Sequence, residues 1–156
     1  MIGLPIVLGN HRSSHATYIQ APGKGQCIPA TELRKATQAS LSLRDSLLKF
    51  VQAFGVQTTH TAVSNAQSRL DVRLARWLLM AHDRIGDDTL PLTHEFLSLM
   101  LGVRRPGVTE ALQALRKQGL ISYWRGKITV KDRKGMERTA GDAYGIPEAE
   151  YRRLIG

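Results

Sequence analysis

With 156 residues, 42% of them hydrophobic, the chain is long enough to bury the core of one ordinary domain or of two small ones. Its single cysteine, Cys27, excludes an internal disulfide. Because the sequence has no run of about 18 apolar residues and no leader peptide, we expect a cytoplasmic protein without membrane contact. The formal net charge is +9, and residues 104–134 carry nine basic side chains against two acidic ones, a density that favours binding to nucleic-acid phosphates.

The first 29 residues have the pattern of short β-strands. Strands are predicted at 4–8, 16–20 and 26–28, because β-branched and aromatic residues cluster there and are separated by Gly9-Asn10 and by a Pro22-Gly23 turn. A short helix is predicted at 29–39. Such a small sheet would expose its edges, which favours disorder, exchange between protomers or pairing with another copy of the chain.

A long helix is predicted at 42–68. Ser42, with Asp45 three residues later, is the expected cap, because a side-chain oxygen there accepts from the free amides of the first turn. One stripe of this helix, apolar at its start and polar at its end, is formed by Leu43, Leu47, Phe50, Phe54, Gln57 and Thr61. The periodicity fits either an ordinary core contact or a seam between two subunits.

The next helix is predicted at 70–85 and is ended by Gly86. Residues spaced by three or four predict its buried face, which is expected to hold Leu70, Leu74, Trp77, Leu78, Ala81 and Ile85.

Two shorter helices joined by a tight turn are predicted next. Thr93 is the expected cap of the first, which runs to about residue 101 with Phe96, Leu97 and Met100 facing inward. Gly102 breaks it, and Pro106 lies near the start of the second helix, at 106–118, where its missing amide costs nothing. The sequence therefore predicts a helix-turn-helix.

The second of these helices has a sharply divided surface. Its predicted buried face consists of Val108, Ala111, Leu112 and Leu115. The opposite face and its flanks are then polar, and they hold Arg105, Pro106, Thr109, Glu110, Gln113, Arg116 and Lys117, of which the first five are the candidate base-reading residues. A helix of this size fits the major groove of DNA, where glutamate can accept from cytosine, glutamine can pair with adenine and arginine can donate to guanine.

A two-stranded ribbon is predicted after Gly119. Residues 121–124 and 127–130 would pair around an Arg125-Gly126 turn. Arg125 and Lys127 are expected to contact the DNA backbone only, together with Arg104, Arg116 and Lys117. Helix, turn, helix and ribbon together predict a winged helix-turn-helix.

These segments resemble the effector domain of Crp/Fnr transcription regulators. The resemblance is carried by residues 90–97, 100–109, 118–121 and 125–129. It implies that the helix at 42–68 is a dimerisation helix with its stripe at the subunit seam, and that two copies bind a near-palindromic site. The family's base-reading positions fall on Arg105, Pro106 and Glu110. In the cAMP-responsive members these are Arg, Glu and Arg, so the resemblance implies a different operator here.

The resemblance is weakest at the sensor end, where residues 2–39 are similar to only the last part of the family's cyclic-nucleotide-binding β-roll. Nucleotide-binding members carry Gly-Glu and, further along, Arg-Ser or Arg-Thr. This chain has Gly3-Leu4 and Ser14-His15, with Arg12-Ser13 nearby, so the carboxylate is absent and the arginine is out of register. Binding of cAMP is therefore not expected. No cofactor or metal is predicted either, because Cys27 is the single cysteine and the cysteine set of the iron–sulfur sensors is absent.

Together the residues and the resemblance predict an α+β fold, mainly α. The expected domains are a truncated β-roll remnant at 1–39, the dimerisation helix at 40–69, the winged helix-turn-helix domain at 70–134 and a C-terminal tail at 135–156, with a short helix at 147–155. The expected function is a homodimeric transcription regulator that binds double-stranded DNA, with helix 106–118 in the major groove and the 121–130 wing on the backbone. RNA polymerase is a further candidate partner.

Other functions remain open at this point. A winged-helix module for protein contacts would lack the cations of its outward face, and a truncated regulator fragment would have no effector response. RNA binding would call for exposed aromatic rings, whereas Tyr123 and Trp124 are assigned here to wing and core packing. An enzyme is not expected, because the five histidines form no metal-binding or nucleophile motif.

Overall fold

A computed structural model describes residues 1–14, 16–17, 19 and 23–156 of the chain. Two compact units make up the chain: Met1–Gln57 together with Pro147–Gly156, and Thr58–Ile146. In chain order the elements are α1 (Leu4–Val7), α2 (Ala30–Ala39), α3 (Leu41–Gln67), α4 (Leu70–Ile85), β1 (Thr89–Leu90), α5 (His94–Leu101), α6 (Arg105–Lys117), β2 (Ile121–Trp124), β3 (Lys127–Val130), α7 (Arg133–Ala140), a 3₁₀ turn (Gly141–Ala143) and α8 (Ile146–Ile155). Over the described ranges, no helix combines the length and apolarity that crossing a bilayer requires.

The strands predicted at 4–8 and 26–28 are wrong. The described residues of 1–39 form helices α1 and α2 and no strand, and residues 26–28 are exposed and irregular. Part of the strand predicted at 16–20 lies outside the described residues, as does His15, which was compared above with the nucleotide-binding regulators. Helix α1 satisfies its own backbone, since Leu8 N donates to Leu4 O at 3.2 Å and Asn10 N donates to Pro5 O at 2.8 Å. Strands need a paired neighbour, and these local hydrogen bonds need none. Helix α2 agrees with the prediction at 29–39.

Helix α3 has the predicted extent but a different cap. The Ser40 hydroxyl, and not that of Ser42, accepts from Leu43 N at 3.2 Å. Ser42 lies inside the first turn, where its carbonyl accepts from the Ser46 hydroxyl. A serine two residues earlier takes the cap because α3 begins at Leu41, directly after α2 ends.

The core of the second unit is built around α4. Leu74, Leu78 and Ala81 are buried as predicted, whereas Leu70, Trp77 and Ile85 are only half-buried. Ala75 and Leu79 are buried as well, because α4 is covered by α6 on one side and by α7 on another. Each fully buried leucine contributes about 1.5–3 kcal/mol relative to exposure, so α4 is a main source of this unit's stability. Gly86 ends α4 in the left-handed conformation, at φ 69°.

A three-stranded sheet in the order β1-β3-β2 closes one side of this core. The predicted ribbon of β2 and β3 is present, with Ile121 opposite Val130 and Trp124 opposite Lys127. The short β1 strand, which pairs Leu90 with Ile128, was not predicted, since two residues carry no period to detect. It attaches the ribbon to the segment between α4 and α5.

Residues 133–144, assigned from the sequence to a tail and the end of the preceding domain, pack against this same core. Met136 and Ala140 of α7 are buried in one cluster with the leucines of α4. Asp132 caps α7 by accepting from Gly135 N at 2.9 Å. Helix α8 begins one residue before the predicted 147–155 helix and, within the first unit, places Tyr151 edge-on to Phe50, with ring centroids 6.4 Å apart.

Candidate nucleic-acid interface

The turn between α5 and α6 fixes the position of the candidate interface. Thr93 caps α5 as predicted, its hydroxyl accepting from Phe96 N at 3.2 Å. Gly102 adopts φ 63°, which lets its amide and that of Val103 donate back to carbonyls near the end of α5. A side chain at Gly102 would be strained in this conformation, so the glycine sets the angle at which α6 leaves the turn.

Helix α6 is buried on the face that the spacing predicted. Val108, Leu112 and Leu115 have no exposed surface and Ala111 is 6% exposed. Helix geometry then turns the opposite face to solvent, where the exposed side chains include Arg105, Pro106, Glu110, Gln113, Arg116 and Lys117. The predicted base-reading residues other than Thr109 therefore lie on an accessible surface of one helix.

Thr109 lies apart from the others because its side chain is half-buried and hydrogen-bonded. Its hydroxyl donates to the Arg105 carbonyl at 3.1 Å and contacts His94 Nδ1 at 3.0 Å. Since the hydroxyl has one proton, His94 Nδ1 is the donor in the second bond. The methyl group of Thr109 is the part left for contact with a base.

The surroundings of His94 at the base of the interface favour its neutral form. Burial, and secondly the positive charge of Arg105, lower the pKa of the His94 imidazole. Its ring also stands edge-on to Tyr123 of β2, with centroids 5.6 Å apart. A single side chain thus links α5, α6 and the wing.

The wing carries more exposed aromatic surface than the sequence indicated. Tyr123 packs against the core, with the Arg116 guanidinium 5.4 Å from its ring centroid. Trp124, assigned to wing and core packing, is 72% exposed, with the Arg125 guanidinium 5.4 Å from its ring centroid. The core assignment is wrong for Trp124 because antiparallel pairing directs it to the face opposite Tyr123.

The cations of the candidate interface are available to an anionic partner. Arg104, Arg105, Arg116, Lys117, Arg125 and Lys127 are all exposed. Ion pairs in the described part of this unit engage other cations, such as Arg133 with Asp83 and Arg138 with Asp132. A surface of uncompensated positive charge beside a polar helix face suits a polyphosphate backbone.

The stripe proposed as a subunit seam is distributed over both units. In the first unit Leu43 and Phe54 are exposed, while Leu47, Phe50 and Gln57 are half-buried. In the second unit Thr61 is half-buried and accepts a hydrogen bond from Arg76 Nη2 at 3.0 Å. The apolar start of the stripe therefore remains accessible, whereas its polar end makes contacts within the chain.

A polar cluster on the far side of α4 escaped the sequence analysis. Arg133 donates to Asp83 Oδ1 and to the Tyr144 hydroxyl, each at 2.7 Å, and Tyr144 donates to Asp83 Oδ2 at 2.8 Å. Burial disfavours the guanidinium charge, but hydrogen bonds and charge from Asp83 outweigh it and raise the pKa of Arg133. Only the i, i+4 pair of Arg133 and Glu137 could have been found from spacing. The cluster joins α7 to α4.

Possible metal ligands are dispersed rather than clustered. In the described ranges, no group of three or more His, Cys, Asp or Glu side chains is arranged to hold a metal ion. Cys27 is exposed.

One segment of the chain matches a known protein family. Residues 72–139 match the Crp-like helix-turn-helix domain. The transcriptional regulator SdrP of Thermus thermophilus is 35% identical over 81 residues, which covers 48% of this chain and 40% of SdrP. A transcriptional regulator of the CRP family, also from Thermus thermophilus, is similar in structure, with 25% identity and a TM-score of 0.51 over 57% of this chain and 49% of that one.

In one further comparison the structural similarity covers more of the chain than residues 72–139. FixK2 from Bradyrhizobium japonicum has a TM-score of 0.67 at 17% identity, over 75% of this chain and 61% of its own, and it shows similarity of fold alone. The chain spans less than half the length of the curated relative that it matches.

Proposed function

Because residues 72–139 form a Crp-like helix-turn-helix domain, we propose that this chain acts as a sequence-specific DNA-binding regulator of transcription. One observation carries the proposal. Burial of Val108, Ala111, Leu112 and Leu115 turns Arg105, Glu110, Gln113 and Lys117 outward on one face of α6. A helix with such a face can enter the major groove and distinguish base pairs by their donors and acceptors.

Each exposed group has a chemical role in this proposal. Glu110 accepts from a cytosine amino group, Gln113 pairs with adenine, and Arg105 donates to guanine or to a phosphate. Pro106 and the Thr109 methyl contact apolar base edges such as the thymine methyl. The flanking cations bind phosphates and set the position of the helix on the duplex: Arg104, Arg116, Lys117, Arg125 and Lys127.

We further propose that two copies bind one site through the apolar start of the α3 stripe. Leu43 and Phe54 are exposed on the same side of α3, as a seam between identical helices requires. Two α6 helices would then lie about 34 Å apart, one turn of B-DNA, and would favour a near-palindromic sequence.

Selection of bound duplexes from a random pool tests these proposals together. With the full chain, we expect enrichment of near-palindromic sequences whose half-site centres are about 10 base pairs apart. Enrichment of single half-sites would contradict the proposed dimer but would leave sequence-specific DNA binding standing. Recovery of sequences indistinguishable from the starting pool would contradict sequence-specific DNA binding.

A further inference from the structure

The tip of the wing combines an aromatic ring and two cations on one exposed surface. In the β2–β3 register Trp124 lies opposite Lys127, so both side chains occupy the same face of the ribbon. The other face, with Tyr123 opposite Ile128, packs against the core, and Ile128 is only 1% exposed. Trp124, Arg125 and Lys127 form what we call the wing tip.

Arg125 occupies a conformation that arginine does not favour. It has φ 45° and Gly126 has φ 75°, so the two-residue turn is of the type in which both residues are left-handed. Asparagine and glycine accept this conformation readily, whereas a long L side chain is strained in it. The turn holds the Arg125 guanidinium beside the Trp124 ring.

The wing tip is fixed relative to α6. A Cβ at Gly126 would lie 3.3 Å from the Thr93 methyl, so the turn packs closely against the cap of α5. Tyr123 adds contacts to His94 of α5 and to Arg116 of α6. A ligand that binds the outward face of α6 therefore meets the wing tip at a constant offset.

We propose that the wing tip docks in the DNA minor groove beside the major-groove segment bound by α6. The Trp124 indole packs against the sugars and Arg125 enters the groove, while Lys127 binds the phosphate ridge. This inference rests on the proposed function and goes beyond contact with the backbone, because phosphates attract cations but gain nothing from an exposed indole. A narrow minor groove attracts arginine and accepts apolar side chains, so A·T-rich flanks are favoured.

Base analogues in the flank test this proposal on a duplex with a constant central site. Inosine·C removes the minor-groove amino group of G·C, and 2,6-diaminopurine·T adds one to A·T, while the major-groove hydrogen-bonding groups stay unchanged. We expect A·T and inosine·C flanks to bind about five- to tenfold more tightly than G·C and diaminopurine·T flanks. Equal affinity for all four flanks would overturn the proposal.

Arg125→Asn separates a DNA contact from a structural role. Asparagine suits the left-handed turn, so the melting temperature should stay the same or rise by about 2 °C. The preference between flanks should nevertheless disappear, whereas Lys134→Ala, an equal charge change on α7, should keep it. Retention of the full preference by Arg125→Asn would contradict the assigned role.

Tryptophan fluorescence tests the indole contact directly. We expect the site duplex to quench the emission of the wild-type protein and to quench Trp124→Phe much less, since its remaining Trp77 is half-buried. Equal quenching of the two proteins would refute the indole contact. A wild-type protein that binds no duplex would instead overturn the proposed function, so the two failures are distinguishable.

Discussion

Neighbouring side chains on the outward face of α6 differ in what they can recognise. In the proposed complex Lys117 attracts any duplex, because every phosphate carries the same charge, whereas Arg105 can donate to guanine as well as to a phosphate. Glu110 repels phosphates, so its presence on this face is useful only where a base offers it a donor. Gln113, which is neutral, likewise contributes through hydrogen-bond geometry. In this proposal specificity is therefore assigned mainly to Glu110 and Gln113, and general affinity mainly to cations such as Lys117.

Replacing Glu110 or Gln113 by alanine should relax base preference more than it weakens general binding. The expected loss of discrimination is about 1–3 kcal/mol at one base pair of each half-site. Glu110→Ala should also bind non-specific duplex slightly more tightly, since a negative charge is removed. Competition binding with single-base operator variants measures both effects. A uniform loss of affinity on every sequence would show that another face of α6 meets the DNA.

His94 should make the stability of the second unit depend on pH. Its pKa is lowered in the folded chain, first by burial and then by Arg105. The unfolded chain therefore binds a proton more readily, and stability falls as pH decreases through about 6.5, the ordinary value for histidine. Above that pH neither state is protonated, and the effect vanishes.

Melting temperatures between pH 7.5 and pH 5 should show this loss in the wild type and a smaller one in His94→Asn. Asparagine retains a donor for Thr109 but does not titrate, so the variant controls for the other histidines. The same pH dependence in both proteins would count against the assignment.

The elements predicted correctly from the sequence are those whose pattern is local, and the elements missed depend on contacts with distant parts of the chain. Helix α4 and the buried residues of α6 were predicted well, because a period of three and four records which face is covered. Helix α7 was missed since Met136 and Ala140 alone are too few to give a period, and its position depends on Arg133 reaching Asp83, 50 residues earlier. The strands predicted at 4–8 and 26–28 failed for the related reason that a strand depends on a distant partner.

Two glycine replacements should separate close packing from helix propensity. A Cβ at Gly135 in α7 would collide with the Asp132 carboxylate and a Leu120 methyl, so Gly135→Ala should lower the free energy of unfolding by about 1–3 kcal/mol. At Gly55 in α3, a Cβ would meet no described atom within 4 Å, so Gly55→Ala should raise the free energy of unfolding by about 0.5–1 kcal/mol. Urea titration measures both. Equal effects of the two variants would show that Gly135 is not closely packed.

On the scale of the whole molecule, basic charge is concentrated where the wing and α6 meet. Much of the +9 net charge lies in residues 104–134, and ion pairs on the α4–α7 side, such as Arg133 with Asp83, neutralise part of it. The sequence predicted this concentration, since charge is read directly from composition. The exposure of Trp124 needed the strand register.

Salt should weaken duplex binding steeply. We expect log affinity to fall against log salt with a slope of about −0.9 per phosphate contacted. Lys117→Ala should reduce that slope by about one contact, whereas Lys35→Ala, which removes a cation already paired with Glu32 in α2, should leave it unchanged. A complex insensitive to salt would argue against backbone binding.

Leu43→Glu should disrupt the proposed dimer without unfolding the protomer. Leu43 is 36% exposed, so the added charge faces solvent in the single chain but would be buried at a seam. Sedimentation should show a monomer for this variant and a dimer for Gln52→Glu, which places the same charge on the opposite side of α3. Dimerisation of both variants would place the seam elsewhere.

The packing of Gly126 against Thr93 fixes the distance between the wing and α6. In the proposed complex the wing would not shift along the duplex independently of α6, so the protein would set the distance between their two points of contact. One base pair inserted between those points would turn the flank by about a tenth of a helical repeat, out of phase with the wing. A protein with a flexible wing would tolerate such an insertion, whereas this chain is expected to bind the altered site more weakly.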